Sequence, residues 1–175
     1  MKIIIYPHHA IQLFGQKLIT FGMSRQEVRQ CFPYPPQELE FGNNSPVDLY
    51  LGMSLRCHYD IRDQLISVDI FYNQTCSLFL GEFNLFSTSF SRVQEIIEAF
   101  AQEPMVENNT GIWVCESFGL MVYHKLYDNN WLHEPVDMIS VSSRFHQSPN
   151  MKFQKYQDVS YPFRREYSKR LAIVS

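Results

Sequence analysis

Val47-Asp48-Leu49-Tyr50-Leu51-Gly52-Met53-Ser54-Leu55-Arg56-Cys57-His58-Tyr59 is the stretch on which the fold turns. Val47 to Leu51 and Ser54 to Tyr59 are rich in residues that favour strands. Gly52-Met53 between them marks a tight turn, because glycine accepts a positive φ without penalty, so the stretch reads as a β-hairpin. Asp60 to Gln64 makes the next bend, and Leu65 to Tyr72 supplies a third strand. Upstream, Ser24-Arg25-Gln26-Glu27 has the form of a capping box: the serine hydroxyl accepts from the Glu27 amide and the carboxylate reaches back. A helix therefore starts at Ser24, and Pro33, Pro35 and Pro36 end it.

The same order recurs downstream. Phe14-Gly15-Gln16-Lys17-Leu18-Ile19 matches Leu80-Gly81-Glu82-Phe83-Asn84-Leu85, Ser24-Arg25 matches Ser91-Arg92, and Asn43-Asn44 matches Asn108-Asn109. Gly52 matches Gly119 and Val68-Asp69 matches Val136-Asp137, all at offsets of 65 to 68 residues. In this second copy, Ser89 to Gln102 carries Val93, Ile96, Ile97 and Phe100 at helical spacing and Pro104 stops it. Strands are expected at Ile112 to Ser117, Leu120 to Leu126 and Val136 to Ser142. Phe118-Gly119 makes the hairpin turn, and Asp128-Asn129-Asn130 the bend after it. The predicted fold is α+β: two tandem repeats, each a helix plus three antiparallel strands, forming a sheet with helices on one face. Residues 1–143 make a single domain of two repeats, about 10–76 and 77–143, with an extra strand near Ile3 to Tyr6, and 144–175 form a basic, aromatic C-terminal extension.

Composition agrees with a folded chain of one core. Of 175 residues, 45% are apolar, 15% aromatic and 19% charged, which excludes disorder and low-complexity architectures. No apolar run reaches the roughly 18 residues of a membrane helix, and Met1 to Pro7 falls short of a signal-peptide core, so a cytoplasmic protein with no membrane partner is expected. Cys31, Cys57, Cys76 and Cys115 match no zinc or redox spacing and read as buried, inert thiols. Charge is unevenly spread: residues 1–143 hold 8 Lys and Arg against 16 Asp and Glu, a net of −8, and from Arg144 onward 7 basic groups face 2 acids, a net of +5. An acidic body repels nucleic acid and attracts cationic partners. The basic extension is expected to fold back on that body.

Strand alternation puts Leu55, Cys57 and Tyr59 on one face and Arg56, His58 and Asp60 on the other. By the same parity, Asp69, Phe71, Trp113, Tyr123 and Asp137 are expected on the face away from the helices. The candidate partner-binding residues are therefore Arg56, His58, Asp69, Phe71, Trp113, Tyr123 and Asp137, a mixture of aromatic and charged groups of the kind that dominates interface energetics. Signs of catalysis are missing. The six histidines show no zinc-protease spacing, the seven glycines are scattered singly with no phosphate loop, and there is no Gly-x-Ser-x-Gly elbow. Neither a cofactor nor a metal is expected.

Leu18-Ile19-Thr20-Phe21-Gly22-Met23-Ser24-Arg25-Gln26-Glu27-Val28, the hairpin ending in Tyr59-Asp60, and Leu65-Ile66-Ser67-Val68-Asp69-Ile70 resemble the opening half of small bacterial proteins made of two helix-plus-strands repeats, similar in fold to the β-lactamase inhibitor protein. Several immunity proteins of contact-dependent growth inhibition and related polymorphic toxin systems resemble that fold. The resemblance spans about residues 10–143 and implies a non-enzymatic cytosolic antidote that binds and blocks a cognate toxin domain; the acidic body makes a basic nuclease the expected toxin, with occlusion of its active site the expected mechanism. The alternatives are a cytosolic adaptor or assembly module, and an enzyme with an unrecognised site.

Overall fold

The computed structural model describes residues 1–13, 17–41, 45–108, 111–124 and 131–143, all within one compact unit, Met1–Phe145. In chain order its first half contains strands β1 (Lys2–Tyr6), β2 (Ala10–Gln12) and β3 (Leu18–Thr20), helix α1 (Arg25–Gln30), and strands β4 (Gln37–Phe41), β5 (Ser45–Tyr50), β6 (Leu55–Tyr59) and β7 (Leu65–Phe71). Strands β8 (Ser77–Leu80) and β9 (Phe83–Asn84), helix α2 (Phe90–Ala101), and strands β10 (Val106–Asn108), β11 (Ile112–Cys115), β12 (Leu120–Tyr123) and β13 (Met138–Ser142) follow. Among the described residues the chain is thus mostly β, with two helices, and none of these is long and apolar enough to cross a membrane.

The start of α1 is written locally, whereas Ser89 at the start of α2 makes no side-chain capping bond. Ser24 caps α1 as a complete capping box: its amide donates to Glu27 Oε2 at 2.8 Å and its hydroxyl accepts from the Glu27 amide at 3.3 Å. The cap of α2 is Ser89, two residues before the serine that the internal matching selects. Each cap bridges to the segment leading into a central strand, Ser24 to Gln64 directly before β7 and Ser89 to Pro135 three residues before β13. The first helical amides are also anchored alike, Arg25 to the Asp63 carbonyl and Phe90 to the Glu134 carbonyl, both at 2.8 Å.

The strands form two sheets, where the sequence predicts one. The eight-stranded sheet runs β10-β11-β12-β13-β7-β6-β5-β4, so the strands after each helix form one half and the halves meet along β13–β7. Each half contributes four strands to it rather than three, since β4 and β10 add an outer edge that the proline-rich and polar flanking sequence hides. The five-stranded sheet runs β3-β2-β1-β8-β9 and joins the lone expected strand, β1, to β8 in parallel. Its strands are two to five residues long, too short for their periodicity to be read. Helix Val28 and Val93, sheet residues Ile5, Ile11 and Leu78, and Cys57, Val68, Ile139 and Val122 of the eight-stranded sheet belong to one buried cluster. The helices and the smaller sheet therefore cover the same face of the larger one.

The hairpin turns differ from expectation. Leu51–Met53 forms a single 3-10 turn, and the left-handed residue that closes it is Ser54 at φ 53°, whereas Gly52 has no positive φ. Gly119 occupies the matching left-handed position, φ 61°, after the 3-10 turn Glu116–Phe118. Gly119 therefore corresponds to Ser54 and not to Gly52. Likewise Ser140, opposite Asp69 across the seam, holds the place that the sequence matching assigned to Asp137. Phe14-Gly15-Gln16, Asn43-Asn44, Asn109, Asp128-Asn129-Asn130 and the 144–175 extension lie outside the described residues.

Candidate functional site

In an antiparallel sheet, directly opposed residues point to the same face. The register Leu49–Arg56–Asp69–Ser140–Met121 therefore runs along the face opposite the helices, and Asp48–Cys57–Val68–Val141–Leu120 along the helix face. The sequence parity for Arg56, His58, Asp69 and Phe71 agrees with this, and these four form one cluster. Arg56 Nε and His58 Nε2 both reach Asp69 Oδ2 at 2.7 Å, and the Arg56 guanidinium lies 5.1 Å above the Phe71 ring. Asp69 and Arg56 are buried, however, and His58 is nearly so. Burial pushes the Asp69 carboxyl up, but the Arg56 and His58 charges beside it, with the Ser140 hydroxyl, outweigh that and hold it well below the usual carboxylate range. This carboxylate is committed to the interior. Reversing its charge would leave Arg56 with a like charge in a buried site, and the protein would lose its fold rather than a surface contact.

Tyr123 and Asp137 are half-buried and meet through the backbone, the Asp137 amide donating to the Tyr123 carbonyl at 3.1 Å. Trp113 is on the other face, in the core, its ring 4.3 Å from that of Phe90. A one-residue change in where the strand is taken to begin inverts every face assignment, and Ile112, not Trp113, shares its row with Tyr123.

The helix face carries a second carboxylate. Asp48 is fully buried and accepts from Arg25 Nε at 3.0 Å, from Arg29 Nε and Nη2 at 2.7 Å each, and from the Tyr59 hydroxyl at 3.3 Å. Burial raises its carboxyl, but bonds from Arg29 and Arg25 win and lower it. Both arginines continue to Glu38 on edge strand β4, at 3.4 and 3.0 Å. Arg25 and Arg29 are four apart on α1, which aims both down at β5; the pairing was legible as helical spacing over a lone strand aspartate, but nothing local says that this aspartate points inward.

What the sequence reading missed lies at one end of the larger sheet, where β5 and β7 finish. Tyr34, Leu51 and Tyr72 are 37%, 39% and 43% exposed there. Tyr34 sits against Gly52, so closely that a Cβ on that glycine would lie 2.8 Å from the phenol oxygen. Tyr34 also tilts against Tyr50 at 6.4 Å, and Tyr50 is stacked on Phe32. Tyr72 stands edge-on to Phe86 at 5.7 Å. Ser54 links the two sides, its carbonyl accepting from the Phe71 amide and its hydroxyl from Asn73 Nδ2 at 2.6 Å. No charged residue occurs in 31–37, 49–55 or 70–76.

Chemistry elsewhere is sparse. Cys57, Cys76 and Cys115 are buried, and burial raises their thiols, the latter two to about 11, while Cys31 is half-buried and also raised. Among the described residues no three His, Cys, Asp or Glu are grouped to hold a metal. An open hollow of about 570 Å³ on the smaller sheet is lined by Tyr6, His9, Ala10, Gln12, Leu18 and Thr20, without a carboxylate or thiol. No family model, curated protein or solved structure matches the chain.

Proposed function

We propose that this chain is a non-enzymatic cytoplasmic immunity protein, built from a duplicated helix-plus-strands unit, that neutralises a cognate toxin domain by covering its active site. The observation that supports this reading is the charge-poor aromatic end of the larger sheet set on a body of net −8. Interface centres are depleted in charge and enriched in Tyr, while surrounding charge steers encounter with a partner of opposite sign. A basic nuclease fits, because carboxylates that approach its phosphate-binding groove occupy the place of substrate. Matching cap bridges, helix-terminal bonds and left-handed turn closures in the two halves support the duplication.

Deleting the gene from its source strain tests this directly. Deleted cells should be inhibited by contact with wild-type siblings and rescued by the gene on a plasmid. Equal growth of deleted and wild-type cells in that competition would overturn the reading.

A further inference from the structure

We infer that the partner docks on the sheet end formed by Tyr34, Leu51, Gly52 and Tyr72, and that it is a basic protein domain with an apolar recess to receive the two tyrosines. This rests on the proposed binding role and supplies its site. Exposed aromatic rings are ordinarily free to change rotamer, and fixing them on binding costs affinity. Here that freedom is already spent: the half-exposed Tyr34 and Tyr72 rings lean on the buried rings of Tyr50 and Phe86. Gly52 completes the surface, since any side chain there would push the Tyr34 phenol away. Tyr34 lies against Gly52, and Tyr72 follows Phe71, whose amide is bonded to Ser54, so one turn presents two supported tyrosines, a residue type enriched at binding hot spots.

Charge identifies the occupant. The patch carries none itself, but Asp137, whose carbonyl accepts from the Tyr72 amide, and the exposed Glu134 stand at the same end of the sheet. With the body at −8, a cationic rim around an apolar recess is the complement. The turn at Asp60 to Gln64, at the opposite end of the sheet, also exposes an aliphatic residue, Ile61, but there Asp60 and Arg62 flank it with both signs of charge.

A photo-crosslinking amino acid placed at Leu51, and for comparison at Arg62, in the full chain expressed in its source cells tests the assignment. The Leu51 position should give an adduct with one protein, identified by mass spectrometry as basic, and the Arg62 position should not. Gly52→Ala and Tyr72→Ala, each with an unchanged urea midpoint, should lower adduct yield about tenfold or more, as loss of a hot-spot side chain does. An adduct with those dependences to a housekeeping assembly would uphold the docking surface and overturn toxin neutralisation. Adducts from Arg62 alone, adducts insensitive to both substitutions, or none from Leu51 would overturn the docking surface, whatever the growth competition shows.

Discussion

Beneath α1 the residue after the cap, Arg25, meets Asp48; beneath α2 the residue after the cap, Phe90, meets Trp113. Asp48 lies two residues before Tyr50, which pairs with Leu55, and Trp113 two before Cys115, which pairs with Leu120, so the slots correspond. One is filled by an ion pair and its hydrogen bonds, the other by two aromatic rings. Backbone bonds from helix terminus to loop are the same in both, so the main chain fixes the geometry and either chemistry fits. The fillings differ in their dependence on surroundings. Packed rings need only exclusion of water, whereas a buried carboxylate needs every partner in place.

The largest effects should come where nothing can relax. Trp113→Ala should cost about 3–5 kcal/mol, read as a fall in urea midpoint, because a large core cavity opens between α2 and β11. Asp69→Ala should cost a similar 3–5 kcal/mol, since Arg56 is then left buried without its carboxylate. Asp48→Ala should cost less, about 2 kcal/mol, because Arg25 and Arg29 are partly exposed and can turn to water. Equal losses at Asp48 and Asp69 would break the contrast drawn from the exposure of their partners.

The turns allow a finer comparison. Gly119→Ser should cost about 1–3 kcal/mol: a Cβ there meets the Ser142 carbonyl and lies 2.7 Å from His8 Nδ1, at a φ that side chains resist. Ser54→Gly, at the corresponding position, should be nearly neutral, trading the Asn73 bond for relief of its left-handed strain.

Acid should separate the halves as well. The carboxyls of Asp48 and Asp69 are both lowered from an ordinary value of 3.8, so the folded chain binds fewer protons than the unfolded one in that range. The stability they confer is complete above about pH 5 and declines as pH falls through 3.8 and below. Urea midpoints measured from about pH 5 to pH 2.5 should drop, and Asp48→Asn should flatten part of that drop, whereas Trp113→Phe should shift the curve without changing its slope.

Much of the eight-stranded sheet is legible residue by residue. Ser24 and Glu27 declare a helix start through bonds made within four residues, and β5, β6 and β7 declare themselves by strand-favouring runs around one short turn. The parity of Arg56, His58 and Asp69 follows from alternation alone. These features depend on neighbours in the chain, and local sequence is sufficient to determine them. The edge strands β4 and β10, the second sheet and the face of Trp113 depend on partners far away in sequence, and a two- or three-residue strand exists only because another strand offers it hydrogen bonds.

Burial was the decisive tertiary contribution. The sequence by itself determined that Asp69 and Arg56 share a face; only packing decided that this face swallows them, turning expected surface anchors into an interior ion pair. Conversely Tyr34, Leu51 and Tyr72 come from three separated segments, none remarkable in its own sequence, and become one surface because β5 and β7 end at the same level of the sheet. Chain order specifies which side chains alternate, whereas the assembled layers settle which of them water can reach.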